Sequence, residues 1–210
     1  MQTKGIKPMI AAVPRKGIDA VGMGKSEPRR WYIAIVNNKL EKLCRERLEQ
    51  RIIDQPVDGK DYEVYVASQK EWTVTASGKR TLKERIVLRA LVFICCTDSL
   101  RRQEIAHLPY IKRFMVNIAG ERSGSVRPVA YIPDYQMADL RRMLNDADEP
   151  VMIDPQPVRL GTRVRINGGK LRGMEGYVLE TPDGSTDFVI RIDLLGCAKI
   201  RINSDLLDLI

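Results

Sequence analysis

Gly161-Thr162-Arg163-Val164-Arg165-Ile166-Asn167-Gly168-Gly169-Lys170-Leu171-Arg172-Gly173-Met174-Glu175-Gly176-Tyr177-Val178 is the stretch whose local pattern is the most specific in this sequence. Val164 and Ile166 alternate with Arg163 and Arg165, so a strand here has one apolar and one charged face. The glycines that follow make a turn, and Gly176 lets a second strand, at about 174–180, bend closely against the first. Two further strand-length runs, at about 187–193 and 197–203, complete the segment. Short strands separated by tight turns predict a small β-barrel over residues 158–210.

Upstream of this segment, residues 145–157 hold four acids and three prolines, a composition that predicts a linker over 147–157. Before it, residues 30–146 read as an α+β domain. Trp31 to Val36 is rich in aromatic and β-branched residues and opens it as a strand. Leu40, Leu43, Cys44 and Leu48 then recur at helical spacing after a cap at Asn37 or Asn38. Tyr62 to Val66 is a second strand. Glu71 to Thr75 and Lys79 to Val87 flank Ala76-Ser77-Gly78 as a hairpin. Leu88 to Cys96 reads as a long central strand, residues 98–107 as a helix, Ile111 to Val116 as a short strand and Asp134 to Leu144 as a helix. Residues 1–29, with scattered Gly and Pro, read as a basic leader.

Composition narrows the function. The chain of 210 residues is 44% hydrophobic and 30% charged, which predicts a soluble globular protein. It contains neither a membrane-length apolar run nor a convincing secretory signal at its start. Four cysteines without paired spacing, and one histidine, argue against a disulfide framework or a zinc site and for a reducing cytoplasm. The net charge of +8 is unevenly spread: residues 1–30 carry seven Lys/Arg against two acids, and residues 151–210 carry eight of each. A neutral C-terminal segment lacks the basic stripe that bulk nucleic-acid binding requires.

Asp19-Ala20-Val21-Gly22-Met23-Gly24-Lys25-Ser26 ends like a phosphate-binding loop, but Asp19 stands where the first glycine belongs. Glu27-Pro28 also opposes the helix such a loop must feed. His107 has no nucleophile context, and Cys95 and Cys96 fall in a core strand where thiols are inert. No catalytic residue, metal ligand or cofactor is therefore expected, and the chain is read as a non-enzyme.

The stretch from Gly161 to Val178 resembles a KOW motif. Its position, after a domain that opens with Trp31-Tyr32 and continues through Val64-Tyr65-Val66, the hairpin, Glu84-Arg85 and Arg127-Pro128, resembles the order of the NusG family. The likeness covers about residues 30–210 and points to the specialised paralogues of the UpxY and RfaH kind. It implies an antiparallel sheet with flanking helices, joined by a linker to an SH3-like KOW barrel. It further implies a transcription elongation or antitermination factor acting on a long operon such as one for surface polysaccharide. The resemblance places an apolar RNA polymerase clamp-binding patch at Ile35, Leu88, Leu91 and Phe93. Leu88-Arg89-Ala90-Leu91 here replaces a frequent Phe-Pro-Gly-Tyr. It places contacts to the non-template DNA strand at Asn37, Arg47, Arg51, Tyr110 and Lys112. Through the KOW domain it implies a ribosomal protein or a termination factor as partner. The alternative is a ribosome-associated RNA-binding KOW protein.

Overall fold

The computed structural model describes residues 27–54, 62–118, 127–156 and 161–210. Nearly all of the leader, with its phosphate-loop-like stretch, lies outside them. The chain is α+β and its sheets are antiparallel.

The first sheet is built on β1 (Arg30–Ile35) and β5 (Leu91–Cys96), paired along their whole length from Arg30 opposite Cys96 to Ile35 opposite Leu91. β2 (Glu63–Tyr65) flanks β5, while β6 (Arg113–Phe114) and β7 (Tyr131–Ile132) both pair with β1. Strand alternation sends Tyr32, Ala34, Val92, Ile94 and Cys96 to one face, where Cys44 and Leu48 of helix α1 (Glu41–Asp54) cover them. On the same face, α2 (Asp98–Leu100) runs into a π turn, Arg101–Ile105. Arg101 is buried there, stacked on Tyr32 and Phe114 and paired with Asp98. Trp31, Ile33 and Phe93 point to the other face. They pack with Met137, Leu140, Met143 and Leu144 of α3 (Asp134–Asp146).

The hairpin predicted around Ala76-Ser77-Gly78 is β3 (Ser68–Val74) with β4 (Arg80–Ile86), a two-stranded sheet of its own. The strand expected from Leu88 begins only at Leu91. Residues 87–90 form a turn with Ala90 at φ +61°, a conformation that costs an L-residue about 1–2 kcal/mol. Ala90 is tied at both ends. Its N–H donates to the buried Glu41 carboxylate at 2.6 Å, and its carbonyl accepts from the Val36 N–H at 2.9 Å.

The C-terminal segment forms a six-stranded sheet in the order β13-β9-β10-β11-β12-β8. Its members are β8 (Met152–Asp154), β9 (Arg163–Ile166), β10 (Glu175–Glu180), β11 (Thr186–Ile192), β12 (Gly196–Arg201) and β13 (Leu207–Leu209). The four middle strands match the sequence expectation closely. The two end strands are not paired with each other, so the expected barrel is an open one. Gly176 owes its identity to packing: a Cβ there would lie 2.6 Å from both the Phe188 ring and the Val189 carbonyl oxygen.

The segment expected to be a linker is largely structured where it is described. Val151 is fully buried and β8 pairs with β12. The acids and prolines around Val151-Met152-Ile153 suggest exposure, but these three residues are an apolar strand signal of their own. One hydrophobic core runs from Trp31, Phe93 and α3 through Val151 into Val164, Phe188 and Ile190. The two halves are therefore packed together.

Replacing Ala90 by Gly removes the left-handed penalty at an unchanged backbone. Ala90→Gly is expected to stabilise the chain by about 1 kcal/mol, a rise of about 2–4 °C in thermal midpoint on a protein of this size, measurable by calorimetry.

Candidate functional site

Three of the four residues expected in the apolar patch come together, Ile35 and Leu91 half-buried and Leu88 nearly buried at 9% exposure. Ile35 and Leu91 are direct cross-strand neighbours, so their side chains share a face. Leu88 and Leu91 line one cleft of about 460 Å³ together with Arg89. Phe93 is a correction. It is 0% exposed, packed beside Tyr65 in the sheet interior, and supports the patch from below instead of forming its surface. In the continuous strand expected over Leu88–Cys96, alternation would put Phe93 on one face with Arg89 and so outside. The left-handed turn at Ala90 breaks that alternation.

The opposite wall of this cleft is the C-terminal segment: Ile153, Pro155, Leu194 and Leu195. Leu88 and Leu91 thus face the second sheet across this cleft, which Arg85 and Arg89 also line. Several polar contacts hold the two halves in this arrangement. The Asp193 N–H donates to the Gln136 Oε1 at 2.7 Å, and the Arg142 guanidinium donates to the carbonyls of Arg172 at 2.6 Å and Lys170 at 3.3 Å. Lys170 also pairs with Asp148. Beside them lies a second cleft of about 510 Å³, where Asp139 and Gln136 of α3 face Arg163, Glu175 and Asp193. Burial pushes the Asp139 carboxyl above the ordinary aspartate range, Arg142 partly offsets this, and Glu175 adds to it.

The five residues expected to touch nucleic acid divide into two neighbouring groups. Arg47 lies over the Tyr110 ring, 5.5 Å from its centroid, and Arg51 is 3.7 Å from Glu104. Tyr110 is half-buried, and its hydroxyl is buried without a hydrogen-bond partner. Its ring therefore already carries a cation on one side, and Arg51 is partly neutralised. Asn37 and Lys112 are exposed at the end of β1, where the Lys112 N–H donates to the Ile35 carbonyl. The resulting surface is basic but less free than the bare residue types imply.

In the C-terminal sheet the cations are largely matched. Arg163 and Arg165 both bind Glu175, which they hold below the usual glutamate range, and Arg201 reaches Asp183 and Asp187. Such a surface offers phosphates little unpaired charge. Burial pushes the Cys44 thiol up to about 11 and the Cys96 thiol up to about 12, so both stay protonated and unreactive at neutral pH. Among the described residues no group of three or more His, Cys, Asp or Glu is placed to hold a metal ion, and no helix is long and apolar enough to cross a membrane.

No family model matches the sequence, and no curated protein matches it. Among solved structures the chain is similar to NusG of Thermotoga maritima, in a structure described as showing domain interaction. The identity is 14%, the match covers 87% of this chain and 97% of that one, and the TM-score is 0.48. It is also similar to the MjSpt4:Spt5 complex in its conformations A and B. There the identity is 11%, coverage is 86% of this chain and 97% or 96% of the other, and the TM-scores are 0.29 and 0.30.

The Asp139 carboxyl gives a pH-dependent test of the packed arrangement. Its folded-state pKa is raised, so its contribution favours the fold at low pH and is lost as the pH rises through that value. Asp139→Asn is expected to raise the thermal midpoint at pH 7, with the gain shrinking toward pH 4; paired melts of wild type and variant check this.

Proposed function

We propose that the chain is a transcription elongation factor of the NusG type, cytoplasmic, that binds RNA polymerase through Ile35, Leu88 and Leu91 and raises processivity without covalent chemistry. One observation carries this reading: an apolar patch at the end of the paired central strands β1 and β5 is followed in the same chain by a KOW-like segment folded as an open barrel. Ile35 and Leu91 sit at the end of a fully paired strand couple, and Leu88 is held by a turn anchored to Glu41, so the patch is preorganised for a helical partner such as a clamp. A factor bridging the clamp favours its closed state, and pausing falls accordingly. Arg47, Arg51 and Tyr110, with Asn37 and Lys112, would contact the exposed non-template strand. Resemblance to the specialised paralogues adds antitermination on a long operon, such as one for surface polysaccharide. The largely self-neutralised C-terminal surface fits a protein partner, a ribosomal protein or a termination factor, better than RNA.

In the packed arrangement Leu194 and Leu195 stand opposite the patch, so polymerase must compete with the C-terminal sheet for it. Loosening the contacts of Gln136 and Arg142 removes one neutral and one charge-assisted anchor. Losing a neutral anchor of about 0.5–1.5 kcal/mol and a solvent-exposed one of similar size raises the open population about tenfold or more.

Retention of the full chain on immobilised core RNA polymerase tests the reading. The double variant Gln136→Ala/Arg142→Ala is expected to bind about tenfold better than wild type, and Leu91→Glu in that background to lose binding while remaining folded. Phe93→Glu is unsuitable, because a charge in the sheet interior unfolds the domain. Failure of both wild type and the loosened variant to bind overturns the proposal. RNA retention by the chain without polymerase binding would favour the ribosome-associated alternative.

A further inference from the structure

The β3–β4 hairpin has two faces with different roles. Strand register puts Gln69, Glu71, Thr73, Thr81, Lys83 and Arg85 on one face. There Gln69 and Arg85 grip the segment that leads to the second sheet, the Arg85 side chain reaching the Val151 carbonyl. The other face carries Lys70, Trp72 and Val74 of β3 beside Arg80, Leu82 and Glu84 of β4, with Glu84 directly opposite Lys70. Trp72 is 64% exposed, Val74 68% and Leu82 50%, an unusual concentration of large apolar side chains on a ribbon two strands wide.

Charge says what kind of partner fits this face. The hairpin has two acids, and both are engaged: Glu71 with Arg85, and Glu84 with Lys42 and the Ser68 hydroxyl. Lys70, Lys79 and Lys83 make no ion pair among the described residues, and the Arg80 guanidinium lies over the Trp72 ring, 5.5 Å from its centroid. With Glu84 held by Lys42 and Ser68, Lys70 and Arg80 leave the outer face net positive. An acidic peptide would satisfy the cations but would give the indole no planar partner. An unstacked base with its phosphate satisfies both, since every base has a π face and every linkage an anion.

We propose that the outer face of the β3–β4 hairpin binds single-stranded nucleic acid, with Trp72 as the stacking platform and Lys70 and Arg80 as phosphate contacts. The surface is separate from Arg47, Arg51 and Tyr110, and the inference does not rest on the polymerase reading.

The two tryptophans make the test direct, because Trp31 is buried and Trp72 is the exposed one. Titration of the full chain with oligothymidylate, and separately with oligouridylate, is expected to quench Trp72 emission saturably. Trp72→Ala should remove the quenching and weaken binding of a labelled oligonucleotide about tenfold, while Trp72→Phe keeps most of the affinity. Lys70→Ala should flatten the slope of log affinity against log salt by about 0.7. Both positions are exposed, and an unchanged thermal melt verifies the fold. An oligonucleotide that binds without quenching, or binds Trp72→Ala as tightly as wild type, overturns the proposal. So does a polyglutamate peptide that quenches Trp72 and displaces the oligonucleotide at equal charge concentration. Quenching that survives Arg47→Ala/Arg51→Ala supports a surface distinct from the one on α1.

Discussion

Val151 is the point on which the architecture turns. Its side chain is fully buried, its N–H donates to Gln69 Oε1 at 2.8 Å, and its carbonyl accepts from Arg85 at 2.9 Å; Gln69 Nε2 meanwhile donates to the Glu149 carbonyl at 2.9 Å. A buried peptide group must find partners or lose about 1–3 kcal/mol per unsatisfied atom, and here two side chains of one hairpin supply them. Once the chain is pinned at this residue, β8 can begin only one residue later, and its pairing with β12 sets the second sheet against α3. The cleft over Leu88 and Leu91 follows from that placement.

The same hairpin shows how one short ribbon divides its labour. Its inner face provides the amide and guanidinium that grip the crossing segment. Its outer face is left with an indole, two aliphatic side chains and uncompensated cations. Alternation of side chains along a strand makes this separation available at no cost in length. The turn at 87–90 is a second local device. The Glu41 carboxylate and the Val36 N–H hold Ala90 in a conformation its side chain disfavours, and so Leu88 comes beside Leu91.

Much of this was legible in the sequence because it is written in short-range pattern. Val164 and Ile166 alternate, glycines mark the turns, and the four middle strands of the second sheet fall where alternation puts them. The association of Ile35, Leu88 and Leu91 was legible as well, through resemblance. Phe93 was misplaced because its exposure depended on the φ of Ala90, a single torsion that no periodicity records. The linker was misread because three prolines and four acids outweighed Val151-Met152-Ile153, whose partners at Val151, Gln69 and Arg85, are 82 and 66 residues away in the chain. Trp72 gave no signal beyond strand propensity. Its exposure depends on which hairpin face the crossing segment takes, and that is a tertiary outcome.

The order of elements along the chain has a consequence in time. The first sheet has all its strands by Ile132 and its covering helix by Asp146, whereas β9 receives its outer neighbour only when β13 has been made. Domains form in the order of synthesis. On the ribosome, the nascent chain therefore displays Leu88 and Leu91 before the leucines that will face them exist. Each molecule passes once through an uncovered youth, and the mature arrangement is one it grows into.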